Sequence, residues 1–389
     1  MARRAAIIVL DGLGIGAAPD AAAYGDVGSD TLGNVALAVG GLTLPNLESL
    51  GLGCCASIQG MARVTVPDAA WGSAVPRSAG KDSITGHWEL CGLTLERPFP
   101  VYPDGFPAGL LAEFSRRTGR GVLGNRPASG TAIIAELGER HRATGAWIVY
   151  TSADSVFQVA AHEETVPLEE LYAGCAVARE LCTGANAVAR VIARPFVGVP
   201  GAYRRTAARR DLSLPPPGET LLDRLAGRGI PHRGVGKVDD LFAGRNITSR
   251  HTATNAEAYR DIVAALGGME RGFLLANVIE FDQSWGHRND VPGFHRGLLE
   301  LDQAVPSILE AMRAEDLIIF TADHGNDPTT PSTDHSREVV PVLACGPRVR
   351  PAGLGVRETF ADVGQTVAEF LGVGPLATGR SFLGAVFDG

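Results

Sequence analysis

Apolar runs alternate with amphipathic stretches along most of the chain. Ala5–Leu10 is an unbroken apolar run that ends in Asp11 and a glycine-rich loop, which predicts a strand buried on both faces. Helical spacing follows near 31–39 and 45–52. Beyond residue 218 the same alternation predicts helices over 220–226 and 256–266, a strand over 273–281 and a helix over 294–312. Strands over 316–321 and 339–344 and a last helix near 360–371 complete it. Helices alternating with apolar strands predict an α/β fold, with a mainly parallel sheet between helices.

Two proline tracts interrupt this pattern. Arg97–Pro107 holds four prolines, and Leu214-Pro-Pro-Pro-Gly218 follows later; neither can continue a helix or a central strand. The segment between them has elements of its own, a strand at Trp147–Tyr150 and helical spacing from Leu168 to Ile192. The organisation expected is a core from 1–99 and 216–389, interrupted by a smaller inserted cap domain over 100–215.

Composition narrows the function classes. At 389 residues, 45% hydrophobic and 20% charged, the chain has the balance of a globular protein with a sizeable core. A formal charge of −8 with no basic run argues against nucleic acid as a partner. The start lacks a signal-peptide pattern, and no apolar run reaches the length of a membrane span. Six cysteines without Cys-x-x-Cys spacing fit buried thiols in a reducing compartment, so a cytoplasmic location is expected.

The chemistry gathers at strand ends. Asp11 closes the first strand. Glu280 lies within the 273–281 run, and Asp282 and His287 follow it; Asp323 and His324 follow 316–321, with Asp334-His335 eleven residues later. In open α/β sheets, functional groups collect beyond the carboxyl ends of parallel strands. Carboxylate oxygens and imidazole nitrogens there suit Zn²⁺ or Mn²⁺ and read as a two-metal enzyme. Gly80-Lys-Asp-Ser-Ile-Thr-Gly-His-Trp-Glu89 adds hydroxyls, a carboxylate and an imidazole. A hydroxyl on a divalent cation loses its proton readily and becomes a nucleophile. Asp82 and Ser83 serve equally well as caps of a helix from Ile84, which leaves Thr85 an ordinary hydroxyl.

Asp11-Gly-Leu-Gly, the 80–89 segment, Phe281-Asp-Gln-Ser-Trp-Gly-His287-Arg and Ala322-Asp-His-Gly-Asn with Asp334-His335 together resemble the phosphopentomutase family of the alkaline phosphatase superfamily. Gly124–Thr131, Tyr150–Gln158 and Arg205–Asp211 extend the likeness through the insertion, so it covers nearly the whole chain. The resemblance implies an alkaline-phosphatase-like core, two Mn²⁺ ions, and a sugar bisphosphate as activator. Asp11, Asp323 and His324 would hold one ion, and Asp282, His287 and His335 the other. Thr85 would bridge them and carry the phosphoryl group. The implied reaction is an isomerisation between (deoxy)ribose 1-phosphate and (deoxy)ribose 5-phosphate through a 1,5-bisphosphate. The chain departs from the family pattern at Ser83 and Ile84, where Thr is usual, and at Glu280, Gln283 and Trp285.

For the substrate, Arg194, Arg205 and Arg209 lie in loop-like sequence where a guanidinium can grip phosphate with two hydrogen bonds; solvated charge is the other reading of each. Ser155 suits either sugar hydroxyls or a turn, and Lys237 suits the transferring phosphoryl group. Two rival enzymes stand beside this one. A metal-dependent phosphatase or phosphodiesterase would use the same core. A dinucleotide site would use Gly12-Leu-Gly-Ile-Gly-Ala17 with Asp30, although Pro19 breaks the helix it needs.

Overall fold

Why the acidic strand ends meet is visible in the strand register. The computed structural model describes residues 3–152 and 154–387, which form two compact units, 1–98 with 216–389 and 99–215. The divisions fall inside the two proline tracts. The strands are β1 Arg4–Leu10, β2 Ala70–Ala74, β3 Val122–Pro127, β4 Trp147–Thr151, β5 Val156–His162, β6 Arg190–Val197 and β7 Arg204–Arg205. They continue as β8 Arg210–Ser213, β9 His232–Val235, β10 Ser249–Arg250, β11 Gly272–Val278, β12 Asp316–Thr321, β13 Val340–Cys345 and β14 Gly353–Arg357. The longer helices are α1 Thr31–Val39, α2 Ser83–Leu90, α3 Ala108–Thr118 and α4 Gly130–Thr144. After them come α5 Leu168–Leu181, α6 Asn255–Gly268, α7 Val291–Glu310 and α8 Ala361–Leu371.

The larger unit holds an eight-stranded sheet in the order β10-β9-β11-β1-β12-β13-β2-β14. Only the β12–β13 and β13–β2 pairings are antiparallel. Every position of β1, β11 and β12 is buried, so helices cover both faces of the central strands. These three strands are parallel and level. Leu10 pairs with Val278, and Val9 pairs with both Asn277 and Thr321. Their carboxyl ends therefore emerge at one edge, which brings segments nearly the length of the chain apart into a single site.

The inserted unit has a six-stranded mixed sheet, β3-β4-β5-β6-β7, with β8 also on β6. Its two faces are distinct. Trp147, Val149, Phe157 and Val159 pack with Phe114 of α3 and Leu171 and Cys175 of α5. Ile148, Tyr150, Ala160 and Phe196 pack against Ile133 and Ile134 of α4.

Three element boundaries differ from the sequence reading. The helical stretch read over 168–192 stops at Leu181, and Ile192 lies inside β6. β6 is mostly buried, and a buried strand presents an apolar run with no two-residue alternation. The stretch 45–52 is two short helices, Pro45–Ser49 and Leu52–Cys55, broken where Gly51 takes φ 97°. The 273–281 strand ends at Val278, and Phe281–Trp285 winds into a π-helical turn.

Among the described residues no helix is long and apolar enough to cross a membrane. All six cysteines are free thiols.

Candidate metal centre

Each acidic strand end is aimed by a neighbour. Asp11 follows β1 directly, and its Oδ2 accepts from Asn277 Nδ2 of the adjacent strand at 3.0 Å. The π-helical turn carries Asp282, whose Oδ1 accepts from Asn326 Nδ2 at 2.7 Å. Asp323 accepts the backbone N–H of Gly12 on Oδ1 at 3.2 Å. Gly12 holds φ 78°, a left-handed conformation that costs glycine little, and its carbonyl accepts from Asn326 N at 2.9 Å. A two-way backbone bridge between Gly325 and Ser336 then folds the loop back and delivers His335.

The result is a compact set of three carboxylates and three imidazoles. Nε2 of His287 and of His335 lie 3.3 and 3.4 Å from the two oxygens of Asp282. Nε2 of His324 lies 3.2 Å from Asp11 Oδ1 and 3.4 Å from Asp323 Oδ2. Asp282, His287 and His335 converge as one potential ion site. Asp11, Asp282 and His324 converge as a second, with Asp323 beside it.

Their electrostatics match crowded, buried ligands. Burial, with the Asp323 and Asp282 carboxylates, pushes Asp11 up to about 6. Burial acts the same way on Asp282, yet His335, His287 and His324 hold it well below the usual carboxylate range. Burial alone would depress His287, but its hydrogen bond to Asp282 lifts it to about 9. Burial and the nearby His324 lower His335. The donor set fits divalent cations: oxygen and nitrogen only, with no thiolate. Asp323 Oδ2 supplies a specific observation, since it is buried and makes no well-aligned hydrogen bond. Its nearest partners are imidazoles, His87 Nδ1 at 3.1 Å, which also donates to the Ser83 carbonyl at 2.9 Å, and His324 Nε2 at 3.4 Å. A buried carboxylate oxygen without a hydrogen bond is suited to meet a cation.

Two hydroxyls of α2 have different partners. Thr85 Oγ1 donates to Asp82 Oδ2 at 2.6 Å, and its N–H donates to Asp82 Oδ1 at 3.1 Å. Ser83 Oγ lies 3.0 Å from His324 Nε2 and 3.3 Å from Asp11 Oδ1. Asp82 is the N-cap of α2, as its type suggests. At the far end of α2, the buried Glu89 accepts from the N–H groups of Arg77, Ser78 and Phe360 and from the Thr359 hydroxyl. That anchor sets the pose of the helix, and Gly86 packs on Asp323 so closely that a Cβ would overlap its carbonyl.

The glycine-rich loop is packed against a buried carboxylate. Asp30 caps α1, accepting from Gly33 N at 3.0 Å. Glu338 is fully buried against the loop: it accepts from Thr31 N at 2.9 Å and Gly16 N at 3.3 Å. The Thr31 and Ser336 hydroxyls reach it at 2.8 and 2.7 Å. Gly14 is glycine because a Cβ would overlap that carboxylate. Burial pushes Glu338 up to about 7.

The departures from the family pattern have local accounts. Glu280 and Asn255 exchange hydrogen bonds at the start of α6, at 2.6 and 2.9 Å. Trp285 stacks edge-on to Phe281 and fills space over Gly293 and Gly297 of α7. Gln283 accepts from Lys237 Nζ, which brings that lysine to the residue after Asp282.

In the inserted unit, Arg194 donates to Gln158 at 3.1 Å and Arg209 pairs with Asp211 at 2.6 and 2.5 Å. Arg205 lies on β7, opposite Phe196. Ser155 is buried; its hydroxyl donates to the Pro100 carbonyl at 2.5 Å and accepts from Ala189 N at 3.2 Å. The sequence reading missed Asn277, Asn326, His87 and Glu338. For Asn277 the signal was present: a polar side chain within an otherwise apolar strand.

Comparisons with known proteins agree with this geometry. Residues 222–375 match the metalloenzyme superfamily model. The phosphopentomutase of Dictyoglomus thermophilum is 52% identical over 389 residues, all of this chain and 99% of that protein. That of Carboxydothermus hydrogenoformans is 53% identical over 386 residues, 99% of each. That of Anaeromyxobacter dehalogenans strain 2CP-1 is 54% identical over 388 residues, 99% of this chain and 100% of the relative. With half of all positions shared from end to end, on an alkaline-phosphatase-like α/β core that gathers carboxylates and imidazoles at one sheet edge, the chain belongs to the phosphopentomutase family.

Proposed function

We propose that this chain interconverts ribose 1-phosphate and ribose 5-phosphate, or the 2-deoxy pair, with Thr85 as the residue that carries the phosphoryl group. The observation behind the proposal is the convergence of Asp11, Asp282, His287, His324 and His335 at one sheet edge, with Asp323 beside them. The name shared by the full-length relatives supports the reaction class. Asp11, Asp323 and His324 would hold one Mn²⁺, and Asp282, His287 and His335 a second. Bound there, two divalent cations acidify a nearby hydroxyl and offset charge on a transferring phosphoryl group.

The chain's own groups do the rest. Thr85 lies in the first turn of α2, where the helix dipole favours negative charge. The phosphorylated threonine donates its phosphoryl group to the free hydroxyl of a pentose monophosphate, giving a 1,5-bisphosphate. The bisphosphate then returns its other phosphoryl group to Thr85. Lys237, held beside Asp282 through Gln283, adds positive charge near the transfer. Arg194, Arg205 and Arg209 of the inserted cap unit bind the phosphate that is not transferred. A sugar bisphosphate primes the threonine, and the reaction runs in the cytoplasm.

A phosphorus NMR time course tests this. Mn²⁺-loaded protein, ribose 1-phosphate and a trace of sugar bisphosphate should yield the 5-phosphate at constant total ester. Release of inorganic phosphate without isomerisation would make the chain a phosphatase instead.

A further inference from the structure

Arg337 is 3% exposed, and each of its side-chain donors is turned onto the chain itself. A guanidinium carries five N–H groups in a fixed fork. Here Nε and Nη2 meet the two oxygens of Asp20, at 3.1 and 3.0 Å. Nη2 also donates to the Pro76 carbonyl at 2.9 Å, and Nη1 donates to the Ser78 and Gly80 carbonyls at 2.6 Å each. The Tyr24 ring covers the group, with its centroid 4.7 Å from the guanidinium carbon. All five donors are engaged, so this arginine has none spare with which to grip a phosphate.

The clamp joins two parts of the centre that lie far apart in sequence. Arg337 stands two residues past His335, and its own backbone is pinned. Its N–H donates to Asp26 Oδ2 at 2.8 Å, and its carbonyl accepts from Ala18 N at 2.9 Å. The segment it grips, 76–80, leads into α2. Glu89 takes the N–H groups of Arg77 and Ser78, so the segment is held by its amides from one side and by its carbonyls from the other. Gly80 then bears directly on Thr85: a Cβ there would lie 2.8 Å from Thr85 Oγ1 and 3.0 Å from its methyl carbon. A second link runs alongside. Lys81 Nζ lies 3.1 Å from both oxygens of Asp26, the carboxylate that takes the Arg337 N–H, and 3.5 Å from Asp334.

We propose that Arg337 is a positioning residue for the phosphoryl carrier: from a base two residues beyond His335 it fixes segment 76–80, and through Gly80 it sets where the Thr85 hydroxyl stands. The inference rests on the reading of Thr85 as the carrier. Asp20 by itself would satisfy the buried charge; what the ion pair does not require is three carbonyls of one short segment. Lysine, with three donors and no planar fork, cannot hold the same set. Misplacing a reacting group by about 1 Å costs about a hundredfold in rate. Because Arg337 makes no contact of its own with substrate, that loss falls on kcat and not on KM.

The test compares the Mn²⁺-loaded full-length enzyme with Arg337→Lys and with Asp20→Asn, which loosens the same guanidinium from an exposed position. Single-turnover phosphorylation of Thr85 by ribose 1,5-bisphosphate is followed by mass spectrometry, beside steady-state kcat and KM. Deuterium exchange is read on peptide 76–86 and on β1 and β11 of the same unit, with and without Mn²⁺. In Arg337→Lys, kcat and the phosphorylation rate should fall about a hundredfold with KM within about twofold. Exchange in 76–86 should quicken about tenfold while β1 and β11 keep wild-type rates. Asp20→Asn should lower kcat about tenfold, again at unchanged KM. A wild-type kcat in either variant overturns the proposal. So does exchange that quickens equally in β1, β11 and 76–86, which would make the arginine a general brace of the unit. If the wild-type enzyme phosphorylates Thr85 but releases inorganic phosphate without isomerisation, and Arg337→Lys slows that phosphorylation, the positioning role stands and the mutase reading falls.

Discussion

The Ser83 hydroxyl oxygen stands 3.0 Å from Nε2 of His324. Thr85, two residues on, is hydrogen-bonded to the helix cap. Thr85→Val, which removes the proposed phosphoryl carrier, should lower mutase activity by at least about a thousandfold, the scale on which removal of a nucleophile acts. Ser83→Ala, which loses one hydrogen-bonding hydroxyl beside the ligands, should remain active within about tenfold. Mass spectrometry of the primed enzyme should find the phosphoryl group on residue 85; finding it on residue 83 would reverse the assignment.

Asn277 and Asn326 each donate to one ligand carboxylate, at 3.0 and 2.7 Å. Groups that orient ligands from outside typically change metal affinity by about 10–100-fold when removed. Asn277→Ala and Asn326→Ala should each weaken Mn²⁺ binding by that much, read by equilibrium dialysis. Their circular dichroism spectra should stay those of the parent.

Glu338 links stability to pH. Its ordinary value is 4.5 and burial lifts it to about 7, so the folded chain holds this proton more tightly than the unfolded chain. The contribution is fully present below about pH 4.5 and is lost as pH rises through about 7. A shift of that size is worth on the order of 3 kcal/mol. Glu338→Gln mimics the protonated side chain, its amide N–H₂ donating to the Thr31 and Ser336 hydroxyls. The melting midpoint of the variant, relative to parent, should rise between pH 5 and pH 8; a constant difference would refute the linkage.

Gly86 is where α2 meets the Asp323 backbone. Gly86→Ala places a methyl group into that carbonyl, and overpacking of this kind costs about 1–3 kcal/mol. Because the contact also seats the neighbouring Thr85, the variant should lose activity well beyond its drop in melting midpoint.

Much of the site was legible in the sequence because its ligands are chemically conspicuous. Asp11, Asp282, Asp323 and the three histidines sit just past apolar runs, and strand ends of parallel sheets are where such residues converge. Strand 316–321 and helix 31–39 stand where periodicity put them. The contact of the Ser83 hydroxyl with His324 was not legible, because the rotation of α2 is set by Glu89, anchored on residues as distant as Thr359. Glu338 was invisible for a related reason: its partners Thr31 and Gly16 lie some 300 residues away and act through the backbone. The helix read through to Ile192 fails where β6 is buried and offers no alternation to read.

The level pairing of β1 with β11 and β12 imposes an order on the birth of this enzyme. On the ribosome, Asp11 is made first, yet its neighbours Asn277 and Asp323 emerge only after the whole 99–215 unit has been translated. That unit carries a sheet of its own. A nascent chain that stops short of His335 lacks the last of the six side chains gathered at the sheet edge, so the cation cage is completed only late in synthesis.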